Sequence, residues 1–506
     1  MPAAVLQDET LLTEVRRWYD VIVQCVQPDG SYGETVQYSG YCYHFLMLTY
    51  EALLRSGQTG MSMTYAKSVH WYRQALLYVK PLTGWGELPR PRMANFGDAG
   101  AICGPDPDLL MQIAARAKET MPQEAALARR LFDDLYAKTP AHGPFDRASF
   151  GFLNRYGLFS LLFLPTAATA SADDGRKPLS AFSNGDAFAH MGSTSLAFRA
   201  SSPAMYAGGH LHGDVNSIIL AHCKERLLVD AGHSCYRNIC RSFDQTSANH
   251  NTCTFMFDSR EDGKNGSIVQ LVQNSRVYRP INRDDGLPAA PVQRGGKFLL
   301  AECKGRVSVI GNDAAALYGD PIRRFERFAV LAGEHAVFII DRIDSSKPVK
   351  TVWHWLFNNR DGSLEWKLVK ADYRMVVRRG EAGMKLFHLG DDAKPRSLCP
   401  TYSYVHDAYH PLPAQHGEGR PGSGLLFDWV ENEAHAGLRT KVHVFALDAY
   451  GPVSAWHIRT EPHIGLKGEN EDWELQLNDD AFIVSELNSG EKHTIRLDNG
   501  TWILEG

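Results

Sequence analysis

The sequence predicts an α+β fold, in which a helical N-terminal part is followed by a longer β part. Up to about residue 165, apolar residues recur at three- and four-residue steps, the spacing of amphipathic helices. Beyond about residue 186, short runs of alternating apolar and polar residues are separated by Gly, Asn and Asp, as in a large antiparallel sandwich. A cleft between two such parts is a natural ligand site.

The N-terminal part is predicted to contain successive helical hairpins. The first helix carries an apolar stripe from Leu11 to Val26 and ends near the PDG turn at 28–30. Asp106 and Pro122 suit helix starts. The further helices are expected at 41–56, 63–79, 106–117, 122–138 and 148–163. This pattern leaves a bundle, a solenoid and a toroid open.

Two changes in composition suggest the domain boundaries. Residues 167–186 are small and polar, as in a linker, and residues 395–425 are typical of a loop before the final strands. We therefore expect a helical domain at 1–170, an antiparallel β-sandwich at 180–400 and a C-terminal β region at 401–506. A chain of 506 residues is long enough for two or three domains.

Composition excludes several classes of function. The net charge of −5 argues against a nucleic-acid or membrane-surface protein, and no apolar run is long enough to span a bilayer. The nine cysteines are scattered, so they do not form a disulfide framework. Cys235 and Cys240 have a spacing that only weakly indicates zinc, and idle or structural thiols are the favoured interpretation.

The richest stretch for chemistry runs from 208 to 254, where histidines and aspartates flank two apolar runs. His212, Asp230 and His250 each lie beside a strand-like run, and imidazole and carboxylate are the ligands that zinc prefers. His210, two residues before His212, would face the same side of an extended strand and lie beside the metal. The alternative is that these are ordinary loop histidines and a turn aspartate, as we expect for His222 and His233.

Two N-terminal stretches could supply the other half of a site. Residues 28–45 pack Tyr32, Tyr38, Tyr41, Tyr43 and His44 around Glu34 at a helix junction. Tyrosines at this spacing are usually core residues, but one that lines a cleft can act as an acid or a base.

The second of these stretches, residues 85–100, is too rich in Pro and Gly to form a regular element, and it offers Glu87, Arg90, Arg92, Asn95 and Asp98. It is either a plain surface loop or a place where Arg90 and Arg92 receive a carboxylate in bidentate fashion.

The order of these motifs resembles that of the heparinase II/III-like polysaccharide lyases, which include heparin, heparan sulfate and alginate lyases. The resemblance rests on DG-x-Y-x-E and the tyrosines that follow it, and then on H-x-H-x-D, VDAG and ANHNT. It covers most of the chain and is most specific from His210 to Thr252. It implies an incomplete (α/α) toroid packed on an antiparallel β-sandwich.

The resemblance also implies roles for individual residues. His210 is expected to be catalytic, and His212, Asp230 and His250 are expected to bind a structural Zn²⁺. The catalytic tyrosine is expected to be Tyr38, with Tyr41 as the alternative. Glu34, Arg90, Arg92 and Asn95 are the candidates for substrate binding.

The implied reaction is β-elimination of a uronic-acid-containing polysaccharide, a glycosaminoglycan or alginate. A base removes the C5 proton, donors neutralise the substrate carboxylate, and a Tyr/His pair serves as base and acid. Similar enzymes place a neutralising Asn or His on a helix well before the tyrosine, where this sequence offers no counterpart; Asn95, Arg90 or Arg92 could substitute.

Two alternatives to the lyase are an N-terminally shortened, inactive carbohydrate-binding relative and a zinc hydrolase. The hydrolase is the weaker of the two because the sequence has no H-E-x-x-H motif. The resemblance implies a periplasmic or secreted protein, whereas the N-terminal residues show no secretory signal, so a cytoplasmic location also stays open. A homodimer is open as well.

Overall fold

A computed structural model of the chain describes thirteen segments. These are residues 2–81, 89–100, 103–136, 158–202, 210–232, 245–258, 268–274, 295–359, 363–369, 374–389, 393–398, 424–451 and 456–506.

The N-terminal part is built mainly from helices, and their starts follow ordinary capping rules. Asp8 caps α2 by accepting a hydrogen bond from the Leu11 backbone, and Asp106 caps α5, with Pro107 as the first helical residue. The helices are α1 Pro2–Leu6, α2 Glu9–Ile22, α3 Val36–Arg55, α4 Ser68–Ala75, α5 Pro107–Arg116, α6 Pro122–Leu135 and α7 Leu158–Phe163, and a later turn, α8, spans Ala315–Tyr318.

The helices expected at 106–117 and 122–138 are confirmed by α5 and α6. The helix expected at 41–56 begins earlier, at Val36, because Thr35 caps it, and of the helix expected at 148–163 only α7 lies within the described residues.

Two of the local predictions are wrong. The helix expected at 63–79 ends at Ala75 and gives way to strand β1, Leu76–Pro81. The stretch 85–100, expected to lack regular structure, contains strand β2, Pro89–Met93. The two strands pair antiparallel. A two-stranded hairpin leaves one edge of each strand unpaired, so proline is tolerated there although it cannot donate a ladder hydrogen bond.

The remaining strands form two antiparallel assemblies. The first contains β3 Leu179–Ala181, β4 Asp186–Met191, β5 Thr194–Arg199, β6 Ile218–His222, β7 Glu225–Leu228, β8 Cys253–Asp258, β9 Ile268–Leu271, β10 Lys297–Lys304, β11 Val307–Asp313, β12 Ile322–Ala332, β13 Ala336–Asn358, β14 Glu365–Val369, β15 Arg374–Arg379, β16 Ala382–Leu389, β17 Ala393–Leu398, β18 Gly424–Glu431 and β19 His435–Leu447. The second contains β20 His457–Arg459, β21 Ile464–Lys467, β22 Asp472–Asn478, β23 Ala481–Glu486, β24 Glu491–Asp498 and β25 Thr501–Glu505.

Strand β13 connects two sets of strands in the larger assembly. Its first half, Ala336 to Ser345, pairs with β12 and β19, and its second half, from Lys350, pairs with β8 and β18. The register with β19 shifts between Ser345 and Val349, where Pro348 lies. Proline removes a ladder donor, which explains why the pairing partners change there.

Strands β4, β5 and β6 are buried on both faces. Residues on one face, such as Leu196 and Leu220, pack in the core of the β region, while Phe188, Ala197 and Ile219 on the other face pack with the helices. Side chains alternate along a strand, so a strand buried on both sides has to be apolar at consecutive positions. The helical part therefore packs directly on these three strands.

The C-terminal residues divide between the two assemblies. Strands β18 and β19, which follow residue 401, pair with β13, whereas the separate six-stranded sheet begins at His457. This sheet packs its Trp473, Phe482 and Trp502 against Val330 and Phe338 of the larger assembly. None of the described helices is long and apolar enough to cross a bilayer. The structure is thus α+β, with large antiparallel sheets.

Candidate functional site

The N-terminus of α3 supplies the first part of the candidate site. The Thr35 hydroxyl accepts a hydrogen bond from the Tyr38 backbone (N to Oγ1 3.2 Å), which fixes Glu34 just outside the helix and Tyr38 in its first turn. Tyr41 lies one turn later, 43% exposed, and its ring packs edge-on against Phe45. The two candidate tyrosines therefore differ in their neighbours.

His210 joins this helix start to the β region. Its ring stacks on the ring of Tyr38, with centroids 3.6 Å apart and an angle of 10° between the planes. Its Nδ1 lies 3.0 Å from Oε2 of Glu34, so the imidazole donates a hydrogen bond to that carboxylate. Burial alone would lower the pKa of His210, but the hydrogen bond and the charge of Glu34 outweigh it and raise the pKa above the usual value.

The expectation that His210 and His212 share one face of an extended strand is wrong. Strand β6 begins only at Ile218, and His210 has a positive φ of 57°, which is left-handed rather than extended backbone. The reversal of the backbone sends the two imidazoles to different partners. His210 meets Glu34, while His212 Nε2 lies 2.7 Å from Oδ1 of Asp98 and is fully buried.

The three predicted metal ligands do come together. His212, Asp230 and His250 are all fully buried, and each offers a ligand atom within 4.8 Å of the other two. His250 Nδ1 donates to Oδ2 of Asp230 at 2.8 Å, and His212 Nε2 donates to Asp98. One imidazole nitrogen of each histidine thus faces a carboxylate, and one donor atom from each of the three residues could ligate a common cation.

The loop at 94–100 ties the two halves of the site together. The Asp98 backbone donates to the His210 carbonyl (3.0 Å), the Gly97 backbone donates to Oδ2 of Asp214 (3.0 Å), and the Gly100 backbone donates to Oε1 of Gln37, the neighbour of Tyr38. Gly97 has φ +61°, and a Cβ there would lie 2.6 Å from the His210 carbonyl oxygen. The loop therefore fits only if residue 97 has no side chain.

Sequence reasoning did not find the partnership of Asp98 with His212. Asp98 was one of several polar residues in its stretch, and the two residues are 114 positions apart. A ligating histidine usually donates its second N–H to a carboxylate, so a carboxylate partner for His212 could be expected. The sequence does not indicate which carboxylate this is. The same holds for Glu34, which was expected to bind substrate and which contacts His210 across 176 positions.

The other candidates for substrate binding lie around the site without meeting at one point. Asn95 is fully buried and accepts from Arg226 (3.2 Å), and Arg92 is buried with its guanidinium directed at the carbonyls of Lys80 and Pro81. The backbone of Arg90 lies in β2, and its side chain is outside the described atoms. Their role in substrate binding stays a prediction.

The remaining residues singled out in the sequence fall into three groups. Tyr32 and Tyr43 are core residues of the helical part, as the alternative interpretation held. His44 pairs with the α5 cap Asp106 (2.7 Å), and His222 belongs to a separate cluster. Glu87, His233, Cys235 and Cys240 lie outside the described residues.

Fold and site together define a class of protein, a two-part α+β chain with an aromatic–imidazole pair at the junction and a buried His/Asp/His cluster beside it. Residues 174–393 match the family model described as heparinase II/III-like, C-terminal. The resemblance predicted from the sequence is thereby confirmed over residues 174–393 of the β region.

Two solved structures share the fold. A mutant of the heparan sulfate lyase HepC from Pedobacter heparinus aligns with a TM-score of 0.58 at 13% identity, over 96% of this chain and 62% of that one. A structure described as heparinase III aligns with a TM-score of 0.59 at 11% identity, over 98% of this chain and 65% of that one. The chain thus spans less than two thirds of each structure. A search of curated proteins returns no significant match.

Proposed function

We propose that the chain is a polysaccharide lyase that cleaves a uronic-acid-containing polysaccharide, a glycosaminoglycan or alginate, by β-elimination. The heparinase II/III-like β region supports this class of enzyme. The observation that carries the proposal is the stacked Tyr38–His210 pair with Glu34 behind it, because it combines two proton-transfer groups at the junction of the two parts. We further propose that the helical part is an incomplete (α/α) toroid and the β region a sandwich.

The proposed step balances in protons and electrons. Neutral His210 accepts the C5 proton at Nε2, the electrons of the C–H bond form the C4–C5 double bond, and the C4–O bond breaks. Tyr38 gives its phenolic proton to the leaving glycosidic oxygen. One proton then passes from His210 to Tyr38, which restores both groups. Glu34 holds His210 through Nδ1, so it sets the tautomer whose Nε2 can accept a proton.

We also propose that His212, Asp230 and His250 hold a structural zinc ion. Two imidazoles and a carboxylate, all buried and within 4.8 Å of one another, suit zinc, and the Asp98–His212 hydrogen bond is the usual second contact of a ligating histidine. When bound, the ion would cross-link the 210–214 segment to the β region. Proton transfer remains the work of Tyr38 and His210.

The test is an activity assay on a panel of heparan sulfate, chondroitin, hyaluronan and alginate, with unsaturated uronate followed by its near-ultraviolet absorbance. Tyr38→Phe removes the hydroxyl alone and is expected to lower turnover by about 10²-fold or more while polysaccharide binding persists. Tyr41→Phe is the matched control and is expected to stay close to the unsubstituted chain. A fully active Tyr38→Phe would contradict the assignment, and binding without product on every polymer would favour a carbohydrate-binding relative.

A further inference from the structure

A second cluster of chemically active side chains lies at the turn of the β6–β7 hairpin. Cys223 and Lys224 form this two-residue turn, and both have positive φ (48° and 57°), as the tight turns of hairpins require. His222 is the last residue of β6 and is fully buried. His335 comes from the β12–β13 turn, and Asp448 directly follows β19.

The Asp448 carboxylate is the centre of this cluster. Its Oδ1 lies 2.6 Å from Nε2 of His222 and 4.0 Å from Sγ of Cys223, and its Oδ2 lies 3.1 Å from Nε2 of His335. The two imidazole centroids are 5.7 Å apart. One ligand atom each from His222, Cys223 and Asp448 fits within 4.8 Å.

The outer contacts of the two histidines are those of metal ligands. His222 uses Nδ1 to contact the Thr194 hydroxyl (2.8 Å), which itself donates to the Glu334 carbonyl (2.6 Å). His335 has its Nδ1 3.5 Å from Oε2 of Glu471. Each imidazole is therefore oriented through Nδ1 with Nε2 toward Asp448, and a second contact of this kind fixes the tautomer of a ligating histidine.

The donor set and its spacing suit one ion. Zinc bonds of about 2.0–2.3 Å place tetrahedral ligands about 3.3–3.8 Å apart. The separations from Oδ1 of Asp448 to Nε2 of His222 (2.6 Å) and to Sγ of Cys223 (4.0 Å) bracket this range. Nε2 of His335 lies 3.1 Å from the second carboxylate oxygen, so it approaches the same carboxylate from the other side. Access is open, since the Asp448 side chain is 45% exposed and that of His335 is 27% exposed.

We propose that His222, Cys223, His335 and Asp448 form a second binding site for a divalent transition-metal ion of the zinc type. The carboxylates of Asp448 and Glu471 supply the negative charge that attracts the cation. Bound there, the ion would fasten the β6–β7 turn to the β12–β13 turn and to the end of β19. The opposite end of the same hairpin leads to Asp230, so the site would hold the far end of the element that carries one of the buried cluster's residues.

Cobalt titration of the full-length chain tests the proposal, because the cluster of His212, Asp230 and His250 contains no sulfur. The chain is stripped with a chelator under reducing conditions and titrated with Co²⁺. We expect a thiolate-to-cobalt charge-transfer band in the near ultraviolet, which excess Zn²⁺ abolishes. Cys223→Ser should lose the band, whereas Cys303→Ser, at another partly exposed free cysteine, should keep it.

A second substitution addresses the carboxylate and the fold. Asp448→Asn keeps the shape of the side chain and should weaken Co²⁺ binding at least tenfold at this band, while circular dichroism stays unchanged. The proposal is overturned if the unsubstituted chain shows no band in excess Co²⁺. It is overturned equally if the band survives in Cys223→Ser, which would point to other cysteines such as Cys235 and Cys240.

Discussion

His210 and His212 are separated by one residue, yet they lie in opposite environments. The His210 side chain is 30% exposed and contacts two residues of the helical part, whereas the His212 side chain is fully buried and pairs with Asp98. The difference arises from the positive φ of His210, which turns the chain between them. A short motif can thus supply two different environments, since one backbone reversal directs His210 to the helical part and His212 into a buried cluster.

The largest expected effect comes from removing the charge of Asp230 in the buried cluster. Asp230→Asn keeps the size of the side chain but removes the charge of the acceptor of the His250 hydrogen bond, and losing a buried hydrogen bond to a charged group costs about 1.5–3 kcal/mol. Chemical denaturation would measure the loss, and metal analysis should find less zinc. Asp480→Asn, whose side chain is 73% exposed, is the control and should change stability by at most about 0.5 kcal/mol. Equal stability of both variants would contradict the importance of the buried cluster.

The next effect should reach both histidines, because Gly97 lies against the His210 backbone and directly precedes Asp98, the partner of His212. Gly97→Ala forces a residue with φ +61° to carry a Cβ 2.6 Å from the His210 carbonyl oxygen, and we expect a cost of about 1–3 kcal/mol together with a loss of the proposed lyase activity. Gly57→Ala is the matched control, because it has φ +83° and open space around the Cβ position. The difference between the two isolates the clash. An active Gly97→Ala chain would show that the position of His210 is not critical.

The smallest expected effect concerns His210, the more exposed of the two histidines. It is a shift in the pH dependence of activity. Glu34 raises the pKa of His210, and the proposed base is the neutral imidazole, so activity should rise as pH increases through this raised pKa. In Glu34→Gln the pKa falls, and the acidic limb of the rate profile should move to lower pH. Glu119→Gln, an exposed residue of the helical part, should leave the limb in place. An acidic limb that stays in place in Glu34→Gln would contradict His210 as the base, and activity that falls with rising pH across this range would show that His210 acts in its protonated form.

Local start signals predicted two of the helices, and the sequence patterns failed where two elements meet. Asp106 and Pro122 marked α5 and α6 correctly. The apolar residues Leu76 and Leu77 continue the helical spacing of α4, and only the pairing with β2 makes them a strand. Such pairing is a tertiary effect, and a short window of the sequence does not reveal it.

For the site, the sequence predicted which residues would gather but not what holds them. His212, Asp230 and His250 could be proposed because each flanks an apolar run, and they do lie together. The partners Asp98 and Glu34 are more than a hundred positions from the histidines that they contact. Contacts across such distances depend on the packing of the helical part on the β region, and residue periodicity carries no information about that.

The two-sided burial of β4, β5 and β6 determines how substrate can reach the site. Lifting the helices away would expose Phe188, Ala197 and Ile219 to water, an unfavourable transfer of apolar surface. A wide hinge opening between the two parts is therefore disfavoured, so the proposed polysaccharide would have to bind while the helices stay packed on these strands. The distance between Tyr38 and His210 is then set before substrate arrives, so little orientational freedom is left to lose in the reaction.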